Sequence, residues 1–200
     1  MGTRRCILNH PESLIDRSQE IVAIAQQEVK QYLGRISLPI DYLTVIPEDE
    51  EDQLCLSGEA AALGTKIFSK NGDIFRIDEP NESELSVIRV RKPVTHPETD
   101  NDVNRIGTVD FVSGDYRRLK ELLFVNASID EKFDRKIRGK GEDAKVVPYS
   151  IVRIDDPALR VGLYFPSLRI TDAIRRVAWF QVFLEIDKNI IICYNVTVQK

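Results

Sequence analysis

FRIDEP at residues 75–80 and VRIDDP at residues 152–157 are the two stretches of sequence that decide the predicted fold. An apolar run follows each of them, LSVIRV at residues 85–90 and LRVGLY at residues 159–164. Each set predicts a strand, an Ile-Asp-acid-Pro turn and a returning strand. The same pattern occurs twice, 74 to 77 residues apart, and this indicates an internal duplication. Chance similarity between two ordinary hairpins is the alternative.

The first half of the chain predicts a helix and then a mixed series of elements. Apolar residues recur at three- and four-residue spacings from Ser13 to Leu33, and Gly34 is typical of a helix end. Asn71-Gly72 lies between two β-prone runs and predicts a hairpin. The other predicted elements are a strand at 42–46, a helix at 53–63 and a strand at 85–90. The order is therefore a helix followed by β-α-β-β-β.

The second half repeats that order. Its predicted elements are a strand at 106–112, a helix at 115–124 capped by Ser113 or Asp115, and strands at 132–138, 146–154 and 159–165. The tail adds a helix at about 172–178 and apolar runs at 182–186 and 190–198. We therefore predict an α+β fold: an N-terminal helix, two β-α-β-β-β modules, and a C-terminal helix plus β-hairpin.

The predicted boundaries divide one globular unit, residues 1–200, into five parts. These are an N-terminal helix at 10–34, a first module at 40–93, a linker at 94–104, a second module at 105–166 and a C-terminal extension at 167–200. The linker composition, rich in Pro, Thr, Asn and acids, is typical of a loop.

Composition excludes several classes of function. Thirty-two acidic residues against 28 basic ones give a net charge of -4, which disfavours a dedicated nucleic-acid binder. Cys6, Cys55 and Cys193 are too far apart for a metal knuckle, and the N-terminus lacks an apolar signal core. No apolar run has the length of a membrane span. We expect a soluble, cytoplasmic protein without a cofactor, and no motif identifies a reaction.

A leading helix followed by two β-α-β-β-β modules resembles the vicinal oxygen chelate superfamily, which includes glyoxalases, ring-cleaving dioxygenases and bleomycin-resistance proteins. The segment IGTVDFV at residues 106–112, followed by DYRRLK at 115–120, looks like the start of such a module. The resemblance implies that each module forms half of a cup. It also implies that the first and last strands of both modules supply the site.

The positions that the resemblance assigns to this site are Tyr42 and Thr108 on the first strands, and Arg89 and Tyr164 on the last strands. None is a usual ligand of the family's divalent metal, and the chain has only two histidines, His10 and His96. The sequence therefore predicts a metal-free cup that binds a small molecule through these four residues.

Charged segments elsewhere offer further candidates. The densest basic cluster, a possible anion site, consists of Lys132, Arg135, Lys136 and Arg138, although interleaved acids favour an ordinary salt-bridged hairpin. The acidic stretches 48–52 and 96–102 are interpreted as solvated segments rather than metal sites.

Three functions remain open from the sequence. The leading one is a non-catalytic small-molecule-binding protein. The alternatives are a protein-interaction module that uses the C-terminal strands and the basic hairpin, and a metal-dependent enzyme of the vicinal oxygen chelate type.

Overall fold

The computed structural model describes residues 13–34, 38–69, 72–77, 87–93, 102, 104–138 and 146–174. These residues form an α+β fold, as predicted. The helices are α1 (Leu14–Leu33), α2 (Glu50–Leu63) and α3 (Tyr116–Asn126), and residues 170–174 form a further helical segment. The strands are β1 (Ile40–Val45), β2 (Gly64–Ser69), β3 (Gly72–Ile77), β4 (Val87–Arg91), β5 (Gly107–Phe111), β6 (Ile129–Arg138), β7 (Val146–Ile154) and β8 (Val161–Pro166). The predicted C-terminal β-hairpin and most of the linker lie outside the described residues.

Helix α1 begins and ends where the sequence predicts. The Ser13 hydroxyl accepts a hydrogen bond from the Asp16 amide, and the Asp16 carboxylate accepts one from the Ser13 amide, so the two form a capping box. At the other end Gly34 has a φ of 66°, a conformation that glycine adopts without steric cost. Helix α3 is capped by Asp115, whose carboxylate accepts a hydrogen bond from the Arg118 amide.

The eight strands form one mixed sheet in the order β2-β3-β4-β1-β5-β8-β7-β6. The two halves have the same internal arrangement, because the first strand of each pairs in parallel with the last strand of that half, β1 with β4 and β5 with β8. The halves meet where β1 pairs antiparallel with β5. The four central strands are therefore the first and last strands of the two predicted modules.

Aligning LSVIRV at 85–90 with LRVGLY at 159–164 position by position is wrong for the last strands of the two halves, β4 and β8. It aligns Ile88 with Gly162, yet Ile88 packs in the core with the helices, whereas a Cβ on Gly162 would lie 3.0 Å from a Thr108 methyl on the other side of the sheet. A slip of one residue turns every side chain of a strand to the opposite face. In the sheet Thr44 lies opposite Arg89, and Thr108 lies opposite Gly162, so Arg89 and Gly162 are equivalent by register. The duplication itself stays a prediction.

The helices cover one face of the sheet and form the main core with it. Phe111 and Phe165, on neighbouring strands β5 and β8, stack with ring centroids 5.6 Å apart and are almost completely buried. Leu43 and Val45 of β1 belong to the same cluster, as do Ile21, Ala25 and Val29 of α1 and Leu119 and Leu123 of α3. Burial of this apolar surface supplies most of the stability of the fold.

Two acidic residues interpreted as solvated are held in ion pairs. Asp52 is 2% exposed, because its carboxylate accepts from Arg17 of α1 at 2.8 Å and from the Glu48 amide at 2.9 Å. Asp102 lies 3.1 Å from an Arg91 guanidinium nitrogen and 2.9 Å from one of Arg105. The solvated interpretation is therefore wrong for both residues, because Arg17 of α1 pairs with Asp52, and Arg91 of β4 and the nearby Arg105 pair with Asp102.

None of the helices in the described part of the chain has both the length and the apolar composition that spanning a membrane requires.

Candidate functional site

The face of the sheet turned away from α1, α2 and α3 carries polar side chains at its centre, and we call it the polar face. Side chains alternate between the two sides of a strand. Since Leu43 and Val45 of β1 pack with the helices, Tyr42 and Thr44 project to the other side. The residues of the polar face on the four central strands are Tyr42, Thr44, Val87, Arg89, Arg91, Thr108, Asp110, Gly162, Tyr164 and Pro166.

The four residues predicted to bind a ligand all lie on this face, in two adjacent rows across the sheet. In one row Arg89, Thr44 and Thr108 are successive cross-strand partners. In the next row Tyr42 lies opposite Asp110, and Asp110 lies opposite Tyr164. The sheet therefore places Tyr42, Arg89, Thr108 and Tyr164 together, on the strands that the resemblance assigns to the site.

Asp110 is the central residue of the site that the sequence analysis missed. It is 8% exposed, and desolvation raises the pKa of its carboxyl to about 7. The negative charges of Asp41 and Asp102 add to this rise, while the guanidinium of Arg89 opposes it. Alternation could have located Asp110, because it follows Thr108 by two residues on the same strand. At neutral pH this carboxyl is poised between donating and accepting a hydrogen bond.

Phenols flank the Asp110 carboxyl. Burial raises the pKa of the Tyr42 phenol far above its usual range, and burial together with the charge of Asp102 raises that of Tyr164 to about 12. Tyr149 of β7 has a raised pKa, mainly because it is desolvated and also because Asp110 is near. All three hydroxyls therefore keep their protons at neutral pH, and each can donate one hydrogen bond, which Tyr164 gives to Asp102.

Arginines border the same rows. The Arg89 guanidinium opposes the rise in the pKa of the Tyr42 phenol, and Arg153 does the same for Tyr164, its cross-strand partner. Arg153 is 7% exposed and also donates to Asp130, its cross-strand partner on the other side, at 3.2 Å. Charged and hydrogen-bonding groups thus continue from the centre of the sheet to its β6 edge.

Asp102 closes one end of the polar rows. Besides its two arginines, it accepts a hydrogen bond from the Tyr164 hydroxyl at 3.3 Å. The Arg105 guanidinium lies so close to Gly162 that an added Cβ would be 2.9 Å from its nitrogen. A side chain at position 162 would displace Arg105, so glycine there permits the arrangement.

The C-terminal segment borders the polar face at Tyr42. Ile170 and Ile174 form a small apolar cluster with Tyr42, Ile74 and Val87. This segment is held at its start by Asp41, which is 3% exposed and accepts hydrogen bonds from the amide and the hydroxyl of Thr171.

The predicted anion-binding residues lie on β6, at the edge of the described sheet. Lys132 forms an ion pair with Asp130 at 3.2 Å, and Arg135 and Lys136 are exposed. The side chain of Arg138 is outside the described residues. Of this set, the structure connects Arg135 to the polar face, because it lies opposite Tyr149 and lowers the pKa of that phenol.

Within the described residues, no group of three or more His, Cys, Asp or Glu side chains is arranged to hold a metal ion. His96 and residues 97–101, the part of the acidic stretch 96–102 before Asp102, lie outside the described residues. Comparison with protein-family models and with the curated proteins found no match for this chain.

Proposed function

We propose that this chain is a small-molecule-binding protein whose ligand occupies the polar face of the sheet. The observation that carries the proposal is the row Tyr42, Asp110 and Tyr164, with Arg89 and Thr108 in the adjacent row. Ligand sites in proteins combine an apolar surround with a few convergent polar groups that fix orientation.

The energetic contrast between the two faces supports the proposal. A buried carboxyl and buried hydroxyls cost free energy unless hydrogen bonds compensate them, whereas apolar side chains at the same positions would add stability. The helix-covered face of the same strands is filled with apolar side chains. Functional sites are where proteins keep groups with strongly perturbed pKa values, and Asp110 is such a group.

The strand order supports the proposed relation to the vicinal oxygen chelate superfamily. The resemblance implies that the first and last strands of both modules meet at the site. Here β4, β1, β5 and β8 are neighbours at the middle of the sheet. For this chain we propose only that it binds a ligand, and that arginine, tyrosine, threonine and aspartate side chains make the contacts.

A fragment screen by ligand-observed NMR tests the proposal. We expect hits that bind the wild-type protein and lose binding in Arg89→Gln. Arg117→Gln is the matched control, because Arg117 lies on α3 with a side chain 91% exposed. Hits that bind Arg89→Gln as well as Arg117→Gln, or a screen without hits, would contradict binding at the polar face.

A further inference from the structure

The polar face has a balance of charge that depends on one proton. Among the described residues, four arginines lie on it or at its border, namely Arg89, Arg91, Arg105 and Arg153, together with four aspartates, Asp102, Asp110, Asp130 and Asp155. Asp41, the remaining carboxylate near Asp110, forms an ion pair with Arg169. When Asp110 holds its proton, positive charges outnumber negative ones, so an anionic ligand is favoured.

Arg89 and Asp110 also have the geometry of a carboxylate site. They project from β4 and β5 on the same face, separated only by β1, and the positive charge of Arg89 opposes the rise in the pKa of Asp110. A guanidinium binds a carboxylate through two parallel hydrogen bonds, and a neutral carboxyl donates a third. Thr44 and Thr108, the cross-strand pair between them, add hydroxyl donors.

Partly exposed aromatic rings lie beside these groups. Tyr164 is the cross-strand partner of Asp110, and Tyr149 is close enough for the charges of Asp110 and Arg89 to affect its pKa. Both rings are intermediate in exposure, whereas Tyr42 is buried. Aromatic rings favour contact with other planar apolar groups.

We propose that the ligand is a small aromatic carboxylate, with its carboxylate between Arg89 and Asp110 and its ring against Tyr149 and Tyr164. This proposal rests on the binding function proposed above and names the ligand class for the same site.

Binding should depend on pH through Asp110. The groups that face this carboxyl are Tyr42 and Asp41 of β1, Arg89 of β4, Tyr149 of β7, Tyr164 of β8, and Asp102. The pKa of Asp110, about 7, lies in the neutral range. Its neutral form donates to an anion and its ionised form repels one, so affinity should fall as pH rises through 7.

The experiment measures benzoate binding to the full chain by titration calorimetry between about pH 6 and about pH 8, with benzamide as the uncharged control. We expect benzoate affinity to fall by up to about tenfold per pH unit above the pKa of Asp110. Asp110→Asn should bind benzoate with little pH dependence, and Arg89→Gln should bind it at least about tenfold more weakly. Circular dichroism spectra establish that each variant is folded. If a variant does not fold, the pH dependence of benzoate binding to the wild-type protein still tests the proposal.

The possible failures separate the two proposals. If benzamide binds as well as benzoate, and Arg89→Gln weakens both, the polar face binds small molecules but the anionic ligand class is wrong. If benzoate binds with no pH dependence, the role of Asp110 is wrong. If benzoate does not bind, the aromatic carboxylate is overturned, whereas the binding function is overturned by the fragment screen, if it gives no hits or only hits that Arg89→Gln leaves unchanged.

Discussion

The two faces of the central sheet are built from alternate residues of the same strands, yet they differ in chemistry. On β5, Val109 and Phe111 face the helices and are completely buried in apolar surroundings, while Thr108 and Asp110 face the other way and bring a hydroxyl and a carboxyl into a nearly buried position. One face therefore stabilises the fold, and the other gives up stability for chemical groups. This difference is the basis for placing function on the polar face.

The largest expected effect comes from the helix-covered face. Phe111→Ala removes a fully buried ring stacked on Phe165, and should lower the free energy of unfolding by about 3–5 kcal/mol. Urea denaturation would measure the loss. Phe124→Ala is the matched control, because Phe124 is 58% exposed on α3, and it should change stability by less than about 1 kcal/mol. Equal losses would mean that the core does not lie between the sheet and the helices.

A substitution on the polar face should raise the free energy of unfolding instead of lowering it. The folded-state pKa of Asp110 is about 7, against 3.8 for an unperturbed aspartate, so its ionisation destabilises the native state as pH rises from about 4 to 7. Asp110→Asn removes that ionisation. We expect little change at about pH 4 and a gain on the order of a few kcal/mol at about pH 8. Thermal unfolding at the two pH values checks it, and a loss of stability at the higher pH would show that ionised Asp110 is compensated.

Asp156→Asn is a control for that pH profile, because it should lower stability at neutral pH where Asp110→Asn raises it. The Asp156 carboxylate accepts hydrogen bonds from the Tyr32 hydroxyl and the Ala158 amide, and the first of these is the main reason that its pKa is lowered. Such a group contributes stability above the unfolded pKa, and the contribution is lost as pH falls through the folded pKa. The variant should therefore be less stable than the wild type at neutral pH and should approach it in acid.

The smallest expected effect concerns the segment that borders the polar face. Thr171→Val removes the hydroxyl that donates to the buried Asp41 carboxylate, and leaves the backbone hydrogen bond from residue 171. We expect a loss of about 1–2 kcal/mol, measured by urea denaturation. Hydrogen exchange should show faster exchange at residues 170–174 with β1 unaffected. Unchanged exchange in this segment would mean that Asp41 does not hold it in place.

Periodicity and turn signals predicted most of the fold. The spacing of apolar residues located α1, the Asn-Gly signal located the β2–β3 hairpin, and the two β-α-β-β-β series were both confirmed in order. The resemblance led to Tyr42, Arg89, Thr108 and Tyr164, which share one face. Register was beyond the sequence, because matching residue types in two strands do not determine which strand positions are equivalent.

The groups that the sequence analysis missed depend on contacts between distant parts of the chain. The partner of Asp52 is 35 residues away, and the Tyr164 hydroxyl that meets Asp102 is 62 residues away. The neighbours of Asp110 come from both halves, because β5 lies between β1 and β8 in the sheet. Acidic residues read from sequence alone are assigned to solvent, and only the assembled sheet shows which of them are enclosed.

The most direct test of ligand binding at the polar face is chemical-shift mapping of the isotope-labelled protein with the fragments that it binds. Perturbed amides and threonine methyls should cluster on β4, β1, β5 and β8, with Thr44, Thr108 and Asp110 among the largest shifts. Perturbations confined to the helices or to the β2 and β6 edges would contradict the account.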